Sequence, residues 1–130
     1  MKGENFNGNL FIDEAIHLGA SFVIYDEEKL NHKSEKTIKV KNALETLQLL
    51  AKYHRSKFKI PVIGLTGSNG KTTSKELMNS ILSQKFNVES TLNNFNNHIG
   101  VPLTILGINR KTDLAIIEMG ANHIGEIDLL

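Results

Sequence analysis

The sequence contains no cysteine, no tryptophan and only two prolines among its 130 residues. The absence of cysteine excludes a disulfide scaffold, a thiolate nucleophile and a zinc site with cysteine ligands. No apolar run approaches the roughly 18–20 residues that a membrane-spanning helix needs, and the N-terminus has no signal-peptide core. Neither charge is in excess, since 15 Lys and Arg face 14 Asp and Glu. The composition therefore predicts a soluble, cytoplasmic protein with no membrane or nucleic-acid partner.

The apolar and polar segments alternate in a pattern that predicts an α/β fold. Strands are expected at 20–25, 37–40, 60–65, 86–91 and 114–119, and helices at 10–18, 42–55, 73–85 and 99–106. The last strand, LAIIEM, is a continuous apolar run apart from Glu118, as in strands buried on both faces of a parallel sheet. We place a domain boundary between residues 41 and 42, ahead of a second half with the βαβ order of nucleotide-binding domains.

The helix predicted at 73–85 has one apolar face and one polar face. Lys75 is expected to be solvated on the polar face. The apolar face consists of Leu77, Met78, Ile81 and Leu82.

The motif GSNGKT at residues 67–72 lies between a predicted strand and a predicted helix. It is shorter than the standard P-loop, which has four residues between its first glycine and the Gly-Lys pair. Small residues still let backbone N–H groups turn toward an anion, and the helix adds its positive end. Lys71 is predicted to neutralise β- and γ-phosphate charge, and the Thr72 hydroxyl to bind Mg²⁺. The alternative is a strand-to-helix turn with a chance Lys-Thr pair.

Polar residues beyond the motif are candidates for the same site. Glu118 ends the LAIIE run, at the sheet edge where α/β proteins bind ligands, and is predicted to hold Mg²⁺. The alternative is a strand-end glutamate that faces solvent. The asparagine-rich loop at 93–97 suits either a polar ligand and metal-bound water or an ordinary surface loop. His123 and Glu126 are expected either to orient a substrate or to cap the next helix.

Three sequence blocks resemble the Mur ligase family. They are TGSNGKTT at 66–73, TLNNFNNHIGVPLTIL at 91–106 and IIEMGANHIGEI at 116–127. The first alone indicates only the wider Mur and folylpolyglutamate ligase superfamily. The other two resemble the branch that adds D-alanyl-D-alanine to UDP-N-acetylmuramoyl-tripeptide. Upstream, residues 2–27 are similar to the latter part of that branch's UDP-sugar-binding domain.

The resemblance implies an ATP-dependent, amide-forming ligase of peptidoglycan precursor synthesis that acts through an acyl phosphate, with ATP and Mg²⁺ as cofactors. It implies catalytic roles for Lys71 and Glu118, and metal binding by Thr72 and Glu118. The residues implied in ATP binding are Thr66, Gly67, Ser68, Asn69, Gly70, Lys71, Thr72, Thr73, Asn96 and Asn97. A weaker correspondence implies contact with substrate for Lys2, Gly3, Glu4, Asn7, Gly8, His98, Asn122 and His123.

The resemblance also implies that parts of the family's machinery are missing from this chain. Family members have a further N-terminal stretch that helps bind uridine. They also have a later metal-binding histidine, an adenine pocket and a third domain for the amine substrate. We therefore expect a fragment of a monomeric protein, with residues 1–41 ending a UDP-sugar-binding domain and residues 42–130 beginning a P-loop-type, parallel-sheet ATPase domain. The alternatives are a sister Mur or folylpolyglutamate-type ligase, or a nucleotide-binding module without catalysis.

Overall fold

The computed structural model describes residues 1, 3, 6–30, 32–121 and 125–129, and for residues 128 and 129 it describes the backbone alone. The chain divides into two compact units, Met1–Leu47 and Gln48–Leu130. Each unit contains a sheet whose strands all run parallel, so the α/β class is confirmed. In the parts of the chain that the structure describes, no helix is long and apolar enough to span a bilayer.

The first unit is built on a two-stranded parallel sheet. A 3₁₀ turn, Gly8–Phe11, leads into helix α1, Ile12–His17, which ends near Gly19 at φ +100°. Strand β1, Val23–Tyr25, pairs in parallel with strand β2, Thr37–Lys39. Each strand has three residues and is therefore shorter than the strands predicted at 20–25 and 37–40.

Helix α2, Ala43–Ser56, begins in the first unit and ends in the second. The side-chain oxygen of Asn42 accepts the backbone N–H groups of Leu44 at 3.0 Å and of Glu45 at 3.1 Å. Asn42 thus caps two of the N–H groups that a helix start leaves without intrahelical partners.

The second unit alternates strands and helices as far as the end of the chain. The elements after α2 are β3 (Val62–Leu65), α3 (Lys71–Leu82), β4 (Val88–Ser90), α4 (Gly100–Gly107), β5 (Leu114–Glu118) and α5 (Glu126–Leu129). The strands form a parallel sheet in the order β3-β5-β4, with α3 and α4 packed against β5 and β4. All five residues of β5 are buried, which confirms the prediction of a central strand.

Apolar side chains of α4 and β5 form the core of the second unit. Burial of each large aliphatic side chain contributes about 1.5–3 kcal/mol, so this cluster is a main source of the unit's stability. Its buried members are Val101, Ile108, Ala115 and Ile117, and partly buried Phe58, Ile60, Ile105 and Met119 pack around them.

Helix α3 contradicts the prediction made for Lys75. The Lys75 side chain is only 1% exposed, whereas Leu77 and Ile81 are 61% and 66% exposed. The prediction was wrong because hydropathy assigns the polar face to solvent, while this lysine finds polar partners inside the unit. Helix α3 also begins two residues before its predicted start, because Lys71 and Thr72 already belong to it.

Candidate functional site

Three segments of the second unit meet at the carboxyl edge of its parallel sheet. The turn at 66–70 follows β3, the loop at 91–99 follows β4, and Glu118 ends β5. Because parallel strands point the same way, the segments that follow them gather at one edge of the sheet. The GSNGKT turn, the asparagine loop and Glu118 therefore lie at the same edge of this sheet.

The GSNGKT motif forms a turn that depends on two glycines. Gly67 has φ +132° and Gly70 has φ +74° and ψ 2°, which are backbone conformations that other residues rarely adopt. Gly70 is the N-cap of α3 and has no side chain to cap the first N–H groups of the helix. The Lys71 ammonium donates to the carbonyl oxygen of Gly67 at 2.5 Å. The exposed side chains around this turn are Thr66, Ser68, Asn69, Thr72 and Thr73.

Glu118 is fully buried at 0% exposure, so the solvent-facing alternative is wrong. Its Oε1 accepts the Thr72 hydroxyl at 3.0 Å and the Asn96 amide at 2.8 Å. Among the described residues, nothing donates a hydrogen bond to its Oε2. A buried carboxylate oxygen without a donor is costly, and a cation is the partner that satisfies it best.

Residues 96–98 of the asparagine-rich loop make three different sets of contacts. The Asn96 side chain points to Glu118, whereas the Asn97 side-chain oxygen caps α4 by accepting the N–H groups of Ile99 at 3.0 Å and Gly100 at 2.9 Å. The His98 side chain is exposed, and its carbonyl accepts the Gln48 amide at 3.3 Å. Only Asn96 of these three therefore contacts the carboxylate.

Lys75 is the residue of this site that the sequence analysis missed. Its ammonium donates to the carbonyl oxygens of Thr91 at 2.7 Å and Asn93 at 3.1 Å. It also lies 3.0 Å from Glu76 Oε1 and 3.8 Å from Glu118 Oε2. The sequence feature that could have identified Lys75 is its position. It lies one helical turn after Lys71 and therefore on the same face of α3.

Of the first-unit residues predicted to contact substrate, Asn7 belongs to a hydrogen-bond network around Asn9, which is 3% exposed. The Asn7 side-chain oxygen accepts the Asn9 backbone N–H at 3.1 Å, and the Asn7 amide donates to Glu27 at 3.2 Å. The backbone N–H of Gly8 donates to the Met1 carbonyl at 2.9 Å, and that of Gly3 donates to the Phe6 carbonyl at 2.7 Å. Four further predicted residues, Lys2, Glu4, Asn122 and His123, lie outside the described residues.

Asp26 joins this network to the start of α2. Its carboxylate accepts the Ala43 backbone N–H at 3.0 Å and the Asn9 amide at 3.0 Å. The Ala43 hydrogen bond is the largest cause of an Asp26 pKa that lies below the ordinary value of 3.8, and the Asn9 bond lowers it further, while burial opposes both. Ionised Asp26 thus stabilises the folded first unit.

We predict that Asp26 makes the first unit sensitive to acid. A lowered folded-state pKa gives stability that is present above pH 3.8 and is lost as the pH falls through the folded value. Asp26→Asn should lower the free energy of unfolding by about 1 kcal/mol at pH 7 and by less at pH 3, as measured by urea unfolding at each pH. Glu35→Gln, at an exposed side chain of the same unit, is the control and should change neither value. An equal loss for Asp26→Asn at both pH values would contradict the prediction.

Comparison with known proteins identifies the family. Residues 65–130, just over half of the chain, match the model of the Mur ligase middle domain. The UDP-N-acetylmuramoyl-tripeptide–D-alanyl-D-alanine ligase of Bacillus subtilis is 43% identical over 131 residues, covering 100% of this chain and 29% of that protein. The chain thus spans less than a third of the length of the curated relatives that it matches.

Solved structures agree with the sequence comparison. A MurF structure from Acinetobacter baumannii superposes with a TM-score of 0.86 at 36% identity, covering 99% of this chain and 28% of that one. The MurF ligase of Thermotoga maritima in complex with ADP gives a TM-score of 0.83 at 36% identity, covering 99% of this chain and 30% of that one. The resemblance stated from the three sequence blocks is confirmed, and the chain belongs to the Mur ligase family.

Proposed function

We propose that this chain is part of an ATP-dependent ligase that adds D-alanyl-D-alanine to UDP-N-acetylmuramoyl-tripeptide in peptidoglycan precursor synthesis. The observation that carries the proposal is the buried carboxylate of Glu118, which contacts Thr72 beside a glycine turn at the start of α3. Two comparisons support it, because the relatives carry this substrate pair in their names and one related structure contains ADP.

The turn at 66–70 is proposed to bind the phosphates of ATP. The left-handed conformations of Gly67 and Gly70 bend the backbone tightly ahead of α3, whose N-terminus carries partial positive charge. No acidic residue lies in the first turn of α3 to oppose an anion. Lys71 is proposed to place its ammonium on the β- and γ-phosphates, as its position in the motif implies.

The residues at the sheet edge fit Mg²⁺ better than a transition metal. Glu118 Oε2 and the Thr72 hydroxyl are oxygen ligands, which Mg²⁺ prefers. Among the described residues there is no group of three or more His, Cys, Asp or Glu side chains that could form an all-protein metal site. This fits an ion that is held by one or two protein ligands together with waters and substrate phosphates. Bound there, Mg²⁺ would neutralise charge on the phosphates of ATP.

An amine does not readily attack a free carboxylate, so the proposed reaction first converts the carboxylate of the tripeptide into an acyl phosphate. A carboxylate oxygen of the tripeptide attacks the γ-phosphorus of ATP, and ADP leaves as the bond between the γ-phosphorus and the bridging oxygen breaks. The amine of D-alanyl-D-alanine then attacks the carbonyl carbon of the acyl phosphate, loses a proton and expels inorganic phosphate. Lys71 would stabilise the negative charge on the transferring phosphoryl group through its fixed position at the start of α3.

We propose that the first unit belongs to the UDP-sugar-binding domain and the second unit to the ATP-binding domain. The boundary predicted at residue 41 and the division of the structure at residue 47 both lie at or within the start of α2. Gly3, Asn7 and Gly8 stay candidates for contact with the UDP-sugar. The use of ATP and a UDP-linked substrate places the proposed reaction in the cytoplasm, and we propose a monomer.

The test is a substrate comparison with the whole protein. We expect ATP, Mg²⁺, UDP-N-acetylmuramoyl-tripeptide and D-alanyl-D-alanine to give one amide product, detected by mass, and one phosphate per product. Replacing the dipeptide with single amino acids should abolish the product. Product with a single amino acid, or with a folate and glutamate, would assign the protein to a sister ligase. Binding of ATP without any product would favour the module without catalysis.

We predict that the 130-residue chain alone forms no amide and binds ATP weakly. The resemblance assigns the adenine pocket, a further metal ligand and the amine-substrate site to regions that this chain does not contain. Phosphate contacts alone leave most of the nucleotide without a binding surface. Calorimetry with Mg·ATP and mass detection of product would check both parts, and measurable amide formation by the purified chain would contradict them.

A further inference from the structure

The ammonium of Lys75 has three oxygen atoms within hydrogen-bond distance inside the second unit. An ammonium has three N–H groups. Three acceptors surround this one, namely the carbonyl oxygens of Thr91 at 2.7 Å and Asn93 at 3.1 Å and the Glu76 carboxylate at 3.0 Å. Because the side chain is only 1% exposed, water does not compete freely for these positions.

Glu118 lies close to this ammonium without receiving a hydrogen bond from it. The distance from Lys75 Nζ to Glu118 Oε2 is 3.8 Å, which is too long for a hydrogen bond but short enough for strong charge attraction in a buried site. The positive charge therefore compensates the buried carboxylate, while the lone pairs of Oε2 stay available. The Thr72 hydroxyl lies at the other oxygen, Oε1, at 3.0 Å.

Thr91 hydrogen-bonds both to Lys75 of α3 and to Glu118 of β5. Its carbonyl accepts from Lys75, and its hydroxyl accepts the backbone N–H of Glu118 at 2.9 Å. Asn93, the second carbonyl acceptor, has φ +48°, an uncommon conformation for a residue other than glycine. Lys75 thus joins α3, which begins at the glycine turn, to the start of the asparagine loop and to the end of β5.

We propose that Lys75 is a positioning residue that holds the asparagine loop and Glu118 in place, with Glu118 Oε2 open to a divalent cation. This inference rests on the proposed function, because the cation in question is the Mg²⁺ that accompanies the nucleotide. Lys71 and Lys75 lie one helical turn apart, and they have different tasks. Lys71 is directed to the phosphates, and Lys75 acts through its neighbours.

An apolar side chain of similar length would not replace this ammonium. Methionine at position 75 would leave the Thr91 and Asn93 carbonyls without their buried donor. It would also leave Glu118 buried without its nearest positive charge. The loop and the carboxylate would then rearrange to reach water, and the geometry around Oε2 would be lost.

The first test compares Lys75→Met with wild type in the whole protein, at a temperature at which both are folded by circular dichroism. We expect the Mg²⁺ concentration that gives half-maximal ADP binding to rise about tenfold, as it does when groups that orient a metal ligand are removed. Hydrogen exchange should speed up at 91–97 and stay unchanged in β3. An unchanged Mg²⁺ requirement with unchanged exchange at 91–97 would overturn the proposal.

A second variant keeps the proposal testable if Lys75→Met does not fold. Glu76 is 60% exposed, so Glu76→Ala should fold normally. It removes the third acceptor of the ammonium and frees an N–H group to reach Glu118 Oε2. We expect the Mg²⁺ requirement to rise severalfold because that oxygen is then engaged. If folded Glu76→Ala has the wild-type Mg²⁺ requirement, the assigned role is refuted.

The two proposals fail in different ways. If the wild-type whole protein does not bind Mg·ADP, the proposed function fails, whereas exchange at 91–97 in Lys75→Met still tests the connection made by Lys75. If wild type binds and the variants match it, only the role of Lys75 fails. Lys85→Met serves as the matched control, since Lys85 is exposed and follows α3 directly. It should change neither the Mg²⁺ requirement nor the exchange pattern.

Discussion

Lys71→Met in the whole protein is expected to lower the rate of acyl-phosphate formation by about 100- to 1,000-fold. The reason is electrostatic, because the variant removes a positive charge from the start of α3, where the phosphates of ATP are proposed to bind. Loss of one preorganised donor at a site of developing charge has an effect of about this size in other enzymes. The measurement is phosphate release and amide formation with saturating substrates.

The fold should tolerate this substitution, which makes the result interpretable. Lys71 is partly exposed, and its ammonium donates a hydrogen bond to the Gly67 carbonyl. The variant should therefore unfold at nearly the wild-type temperature. Lys85→Met, at an exposed lysine just after α3, is the control and should keep the wild-type rate. Unchanged turnover in Lys71→Met would refute the role assigned to this lysine.

Gly100→Ala is expected to lower the free energy of unfolding by about 3 kcal/mol, at the upper end of the usual cost of an extra methyl in a packed site. A β-carbon at this position would collide with the backbone of Phe95, including its carbonyl oxygen. Backbone atoms cannot move aside as a side chain can, so α4 would have to shift from the asparagine loop. Urea unfolding followed by circular dichroism would measure the loss.

Gly107 provides a matched comparison because it ends the helix that Gly100 begins. A β-carbon at Gly107 would lie 2.6 Å from Glu89 Oε1, which is the far end of a flexible side chain. Glu89 can rotate away, so Gly107→Ala should cost less than about 1 kcal/mol. Similar losses in the two variants would show that backbone contact at Phe95 is not the cause.

The parts of the fold that follow from local pattern could be predicted from the sequence. The apolar run of β5 indicated a central buried strand, and all five of its residues are buried. The glycines of the GSNGKT motif indicated a turn that needs unusual backbone angles, and Gly67 and Gly70 have them. The meeting of this turn with Glu118 also follows from sequence, because parallel strands carry their following segments to one edge.

The features of the fold and of the site that depend on polar partners distant in the sequence could not be predicted. Lys75 and Asn9 are polar residues in segments that hydropathy assigns to solvent, yet both are buried. Their partners are separated from them by 16 residues for Lys75 and Thr91 and by 17 residues for Asn9 and Asp26. For the same reason the sequence could not show which of the two asparagines contacts Glu118. The Asn96 side chain contacts Glu118 at the end of β5, whereas the Asn97 side chain contacts the start of α4.

The strand order β3-β5-β4 has a consequence for how the chain behaves in concentrated solution. Within the described sheet, β3 is an edge strand, and Val62 at its start is 40% exposed. The outward N–H and C=O groups of such an edge are a template on which a strand from another molecule can pair. Strand pairing between copies of the 130-residue chain should therefore be possible at the β3 edge, and Val62→Lys is expected to suppress pairing there.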